Sequence, residues 1–211
     1  TSIRPGLAIR RNTDKTTFSL GMDVDIGEYK TVLWENDKKE ELYRALLPRF
    51  SWEYEYGTGR RLNFRYTTSV NTPAAEQLLP VVNNFNSLSL FYGNRDLKPE
   101  YSHNLSSQWW IFDQFSFTTF LARLRINYTR NKISYDRIIT DDFRQFIRLT
   151  NVESDFMAGA SIDFTTPIRP LGIKTNLYLD ESYNKGYNIV DDVQNEVQSF
   201  SHVLSLSIEN R

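Results

Sequence analysis

Residues 49–69 read RFSWEYEYGTGRRLNFRYTTS. Ahead of the glycines, Phe50, Trp52, Tyr54 and Tyr56 alternate with Ser51, Glu53 and Glu55. Beyond them, Leu62, Phe64 and Tyr66 alternate with Arg61, Asn63 and Arg65. Successive side chains of a strand point to opposite faces, so period two on both sides of Gly57-Thr58-Gly59 predicts a β-hairpin. Paired residues share a face whatever the register. The rings therefore collect on one side, and glutamates of one strand meet arginines of the next on the other.

Working outward, the same rhythm runs through residues 17–29, where Phe18, Leu20, Met22, Val24 and Ile26 alternate with Ser19, Gly21, Asp23 and Asp25. It returns in 102–110, in 115–135 (Ala122, Leu124, Ile126 and Tyr128 against Arg123, Arg125, Asn127 and Thr129), and in 152–164, 173–183 and 200–208. With a weaker opening segment at 7–11, about nine strands are expected. A slip in the alternation between Thr118 and Phe120 predicts a bulge. The connections alternate short and long, the long ones near 30–47, 70–100, 136–148 and 185–198. The acidic start of NDKKEELYRALL (36–47), with Pro48 just after it, predicts a short surface helix.

Alternating turn lengths fit an up-and-down meander with all its short turns at one end, and a Greek-key sandwich has no reason to obey such a rule. From Phe18 to Ile26 the chain rises ~26 Å at ~3.3 Å per residue. Tilted by ~40°, that covers ~20 Å of membrane normal, close to the ~25 Å apolar band of outer-membrane barrels. Tyr54, Tyr56, Trp109 and Trp110 lie beside short turns, where an interfacial ring belt would sit. The expected fold is all-β: an antiparallel up-and-down transmembrane β-barrel segment with short periplasmic turns and long extracellular loops. The alternative is a soluble or cell-surface β-sandwich binding module, with Phe18, Leu20, Val24 and Ile26 buried against a second sheet.

Composition narrows the chemistry. The 211 residues carry 25 Lys and Arg against 26 Asp and Glu, a net charge of −1 that gives no reason to propose nucleic acid as a partner. Aromatic residues make up 14% of a chain whose mean hydropathy is −0.50, so apolar groups must occupy narrow faces. No apolar run approaches the ~20 residues of a membrane helix. There is no cysteine, and the two histidines, His103 and His202, are far apart, so neither a metal site nor a cofactor is expected. Asp191, Asp192, Asn195 and Glu196 make a weak candidate for a calcium loop. No phosphate loop or nucleophile motif appears, and no enzymatic activity is expected.

One block breaks the rhythm: NTPAAEQLLPVVNNFNSLSLFYGNRDLKPEYSHNL, residues 71–105. It resembles the barrel of TonB-dependent receptor-like outer-membrane proteins of the Bacteroidota type, which carry a GNPDLKPE element at the extracellular end of a strand. Gly93, Asn94, Asp96, Leu97, Lys98, Pro99 and Glu100 match that element, and Arg95 stands where proline is usual. The resemblance implies an extracellular loop motif whose residues serve loop structure ahead of ligand contact. It also implies that 1–211 is the C-terminal part of a barrel within a longer chain. That chain would carry a plug domain, contact TonB through it, sit in outer-membrane lipid and take up a ligand that remains unknown. Glu53, Glu55, Arg61, Arg65, Arg123, Arg125 and Asn127 would line the lumen and pair with one another or with the plug. A non-transporting structural barrel is a further alternative.

Overall fold

The computed structural model describes residues 2–34, 37–79, 83–86, 89–140, 144–191 and 193–210. These form one 12-stranded sheet. The strands are β1 (Ser2–Ile3), β2 (Gly6–Asn12), β3 (Thr16–Trp34), β4 (Asp37–Gly57), β5 (Arg60–Asn71), β6 (Asn83–Asn86), β7 (Ser89–Tyr92), β8 (Glu100–Asp113), β9 (Thr118–Ile139), β10 (Gln145–Ile168), β11 (Ile173–Val190) and β12 (Val193–Asn210). One four-residue helix, α1 (Ala75–Leu78), lies in the connection between β5 and β6.

Three strands are short: β1 pairs beside β2 on β3, and β6 and β7 lie within the 72–99 connection. The nine that remain, β2 to β5 and β8 to β12, pair antiparallel each with the next. This is the expected meander. Among the described residues, β2 and β12 are the two ends of the run and do not pair with each other, so the strands form an open section of wall.

The connections 13–15, 58–59, 114–117 and 169–172 lie at one end. At the other, β3 ends at Trp34 and β4 starts at Asp37, and β11 ends at Val190 and β12 starts at Val193, so short connections are not confined to one end. Gly59 at φ 69° and Phe117 at φ 56° take left-handed conformations in 58–59 and 114–117. A Cβ on Gly59 would stand 2.4 Å from the Phe112 carbonyl oxygen, so the GTG turn needs a glycine at that position for space as well as for φ.

At the other end the structure corrects the expected loops. Segments predicted as connections at 30–47, 136–148 and 185–198 are mostly paired strand, with β3 and β4 in register from Val32 and Lys38 inward and a shift between Val32 and Trp34. The helix predicted over 36–47 is strand from Asp37; Asn36 lies outside the described residues. Backbone pairing against 29–32, with Lys30 bonded to Glu40, overrides the helical propensity of Glu, Lys and Leu. The bulge predicted at 118–120 is absent: β9 pairs without a register shift with β8 from Thr118 onward and with β10 from Thr119 onward. A local departure lies further along, at Asn131, whose φ is 53°.

The register sorts the side chains as the alternation predicts. Phe18, Leu20 and Val24 oppose Trp52, Phe50 and Leu46. Phe50 and Trp52 oppose Tyr66 and Phe64, and Leu105 opposes Ile126. No second sheet covers this face among the described residues, and Leu20 and Leu124 are 49% and 39% exposed. The β-sandwich alternative fails here. The buried cluster of Leu78, Leu97 and Leu149 lies elsewhere, where the 72–99 connection meets β10.

Two belts of rings edge the apolar face. Near the short turns, Trp52 and Tyr54 stack at 5.8 Å, and Trp109 Nε1 donates to the Tyr56 hydroxyl at 2.6 Å. The second belt runs through Tyr101, His103 and Tyr128, and through Phe156, Tyr183 and Phe200, with centroids 4.8–6.1 Å apart. From Phe120 to Tyr128, and from Phe156 to Phe164, the belts are ~26 Å apart along the strand at ~3.3 Å per residue. Trp110 departs from the expected belt. Consecutive residues face opposite ways, so it opposes Arg61 on the polar face, stacked with Phe112 at 6.3 Å.

Candidate functional site

The opposite face carries the polar half of the pattern. Glu55 is the register partner of Arg61, and Arg61 lies 3.3 Å from Glu53 and 3.7 Å from Glu55. Arg65 shares a cross-strand row with Ser106, Arg125, Gly159 and Ser182. The adjacent row runs Asn63, Gln108, Arg123, Ser161 and Asp180. Asn127 donates to Asn104 at 2.5 Å in the next row. All seven residues singled out from the sequence therefore share one face. Asn104, Tyr178 and Asp180, which join them there, were missed, although period two over 102–110 and 173–183 places them by the same rule.

Small residues between the long ones leave room. A recess of about 470 Å³ is bounded by Arg65, Arg123 and Arg125 together with Asn104, Asn127 and Tyr178. A second, of about 260 Å³, is bounded by the same three arginines with Asn63 and Gln108.

The 72–99 connection folds onto this face at the end away from the short turns. Tyr29, which shares parity with Asp23 and Asp25, donates its hydroxyl to the Leu97 carbonyl at 3.0 Å. Lys39 donates to Asp96 Oδ1 at 2.7 Å and to the Arg95 carbonyl at 3.0 Å. Asn94 Nδ2 donates to the Leu149 carbonyl, and its Oδ1 accepts from the Asp96 amide. Asn151 receives the Lys98 amide at 2.7 Å and donates to the Lys98 carbonyl at 3.0 Å. Glu100 accepts from the Ile133 amide and pairs with Lys132 at 3.1 Å. A Cβ on Gly93 would stand 2.2 Å from the Leu79 carbonyl oxygen, so only glycine fits. Leu97 is 2% exposed, packed with Leu78 and Leu149. Every matched residue from Gly93 to Glu100 except Pro99 thus has a named structural contact, and β7 adds a parallel ladder to β10.

The other candidates disperse. Asp191 accepts the Ile139 amide, Asn195 donates to the Val193 carbonyl and Glu196 pairs with Lys185 at 2.8 Å; Asp192 lies outside the described residues. No group of three or more potential metal-binding side chains occurs among the described residues. His103 shares a hydrogen bond with the Tyr66 hydroxyl at 2.8 Å, and His202 pairs with Glu181 across β11 and β12.

A family model described as the outer membrane protein β-barrel family matches residues 10–210. The chain belongs to that family. In this outer-membrane barrel the apolar ladder faces lipid and the two ring belts mark its edges. The fold is shared with the FrpB iron transporter from Neisseria meningitidis (F3-3 variant), at TM-score 0.57 and 12% identity over 90% of this chain and 27% of that one. It is also shared with the siderophore receptor PirA from Acinetobacter baumannii, at TM-score 0.53 and 14% identity over 98% of this chain and 38% of that one. Against either, the barrel chain spans well under half the length. A search of curated protein sequences finds no match.

The anchor of the 72–99 connection is open to pH. The hydrogen bond from Lys39 holds the Asp96 carboxyl below the ordinary carboxylate range, and the same bond raises Lys39 above the ordinary amine range. A depressed acid stabilises the folded state above its unfolded pKa and loses that contribution as pH falls through the folded one. A raised lysine contributes below its unfolded pKa and loses its share as pH climbs through the folded one. The Asp96 side chain is 85% exposed, so the pair contributes under about 1 kcal/mol. Proteolysis within 72–99 is expected to rise modestly below about pH 4. Asp96→Asn should flatten that dependence, and an unchanged profile in the variant would contradict the assignment.

Proposed function

We propose that the chain is the C-terminal part of the barrel of a longer TonB-dependent receptor that takes up a ligand across the outer membrane. The observation that carries this reading is the seating of the 72–99 connection on the polar face by side chains of β3, β4 and β10. A segment held there would narrow an aqueous interior from the end opposite the short turns. Glu53, Glu55, Arg61, Arg65, Arg123, Arg125 and Asn127 would line that interior. Charges enclosed in a barrel need partners, and Arg61 with Glu53 and Glu55 already forms such a set. The plug of the longer chain would enter the same space, and TonB would act on the plug. The fold shared with an iron transporter and a siderophore receptor supports uptake as the activity.

The test uses the full-length protein in outer membranes. Cysteine at Gln108 should react with a water-soluble maleimide, and cysteine at Leu124 only with a lipid-soluble one. Photo-crosslinkers in the upstream segment should capture TonB in energised cells. Reversal of the two labels would defeat the lumen assignment, and the absence of a plug or of a TonB adduct would leave a structural barrel.

A further inference from the structure

We infer that Arg65, Arg123 and Arg125 form a binding site for a small oxyanionic molecule, one bearing a carboxylate or phosphate, on the inner wall of the barrel. The inference rests on the lumen reading above and names the chemistry of a ligand for that wall.

Three observations converge. Arg65 and Arg125 sit in one cross-strand row with Ser106 between them, so their Cα atoms are ~10 Å apart at ~4.8 Å per strand. Arg123 lies two residues from Arg125 on the same face. A guanidinium on a three-carbon stem reaches far enough for all three to meet above Ser106. Ser106, between Arg65 and Arg125 on β8, and Gly159 and Ser161, beside Arg125 and Arg123 on β10, are too small to fill the space, and both recesses are bounded by all three arginines.

The charge balance points the same way. Among the described residues none of the ion pairs involves Arg65, Arg123 or Arg125, whereas Arg4, Arg49, Arg61 and Arg148 each hold a carboxylate. Two acidic residues touch the larger recess. Asp180 accepts the Tyr178 hydroxyl at 3.3 Å, and Glu181 turns to His202 on the lipid face. Three guanidinium groups therefore face one engaged carboxylate. Arginine presents its donors as a planar fork that matches carboxylate and phosphate two bonds at a time. The amides of Asn104 and Asn127 at the rim add neutral hydrogen-bonding groups. A volume of about 470 Å³ suits a small molecule, at the lower end of the ~300–1,000 Å³ typical of such sites.

The experiment titrates purified, folded full-length protein in detergent with citrate and, separately, with inorganic phosphate, by calorimetry. Saturable binding is expected, with phosphate competing against citrate. Arg65→Gln and Arg125→Gln should each weaken citrate at least about tenfold, since each loses a charge-assisted, two-bond contact with a carboxylate. Arg49→Gln, on the same face but paired with Asp23, should change affinity less than about threefold. Heat-modifiable migration checks folding of each variant. Should a glutamine variant fail to fold, Arg65→Lys and the wild-type phosphate competition give the reading instead. No saturable binding by the folded wild type, or equal affinity in Arg65→Gln, Arg125→Gln and Arg49→Gln, overturns the site. If aqueous labelling at position 108 persists when binding fails, the site falls alone. If labelling fails too, the lumen reading falls with it.

Discussion

Leu124→Arg is expected to cost ~2–4 kcal/mol of folding into lipid, the penalty for arginine facing hydrocarbon near the midplane of a barrel. Leu124 stands midway between Phe120 and Tyr128, the residues that mark the two ring belts on β9. Its register partners are Ser107 and Ala160, so no bulky neighbour lies directly across to shield a guanidinium or bond with it. Thr119→Arg, on the same strand but opposite Phe112 and Thr165 on the polar face, should cost under about 1 kcal/mol. Urea titration of the full-length barrel into vesicles of defined thickness reads both values. The lipid-facing assignment fails if the two variants are equally stable, because hydrocarbon near the midplane penalises only Leu124→Arg.

How far the sequence could be read follows from where two different media meet the sheet. Where a barrel wall separates lipid from water, alternation is enforced residue by residue. The 49–69 hairpin, its Glu55–Arg61 pairing and the arginines of 115–135 were legible for that reason. Outside the apolar band a barrel strand has no lipid-facing side. Strands β3, β4, β9 and β10 continue there as paired ladder, but nothing compels apolar residues onto alternate positions. Residues 36–47 consequently looked helical. The seating of the 72–99 connection was half legible. Its polar, turn-forming block indicated structure before ligand, whereas the burial of Leu97 emerges only in the fold. The partners Tyr29, Lys39 and Asn151 were not legible, since they come from three strands whose approach depends on tertiary register. Trp110 shows the complementary error: proximity to a turn was taken to decide its medium, whereas parity decides it.

Leu97→Ala should release the 72–99 connection while leaving the wall intact. The side chain is 2% exposed and packs with Leu78 at 4% and Leu149 at 1%, with Tyr29, Phe91 and Ile133 at the edge. Truncating a leucine so enclosed costs ~2–5 kcal/mol through lost burial and the cavity left behind. Each polar anchor is individually weaker. The Lys39–Asp96 pair is largely in water, and the Tyr29 hydroxyl bond contributes about 1 kcal/mol. The opening should therefore be local, because the strand ladders of β3, β4, β9 and β10 do not depend on the segment. Limited proteolysis of the full-length protein should cut within 72–99 many times faster in Leu97→Ala than in wild type, with heat-modifiable migration unchanged. Leu149→Ala removes the opposite wall of the same cluster and should produce the same cleavage. The double variant should add less than the sum of the two, since both act on one contact. Resistance to cleavage in both single variants would mean that the hydrogen bonds alone hold the segment. Loss of heat-modifiability would mean that the cluster supports the wall itself.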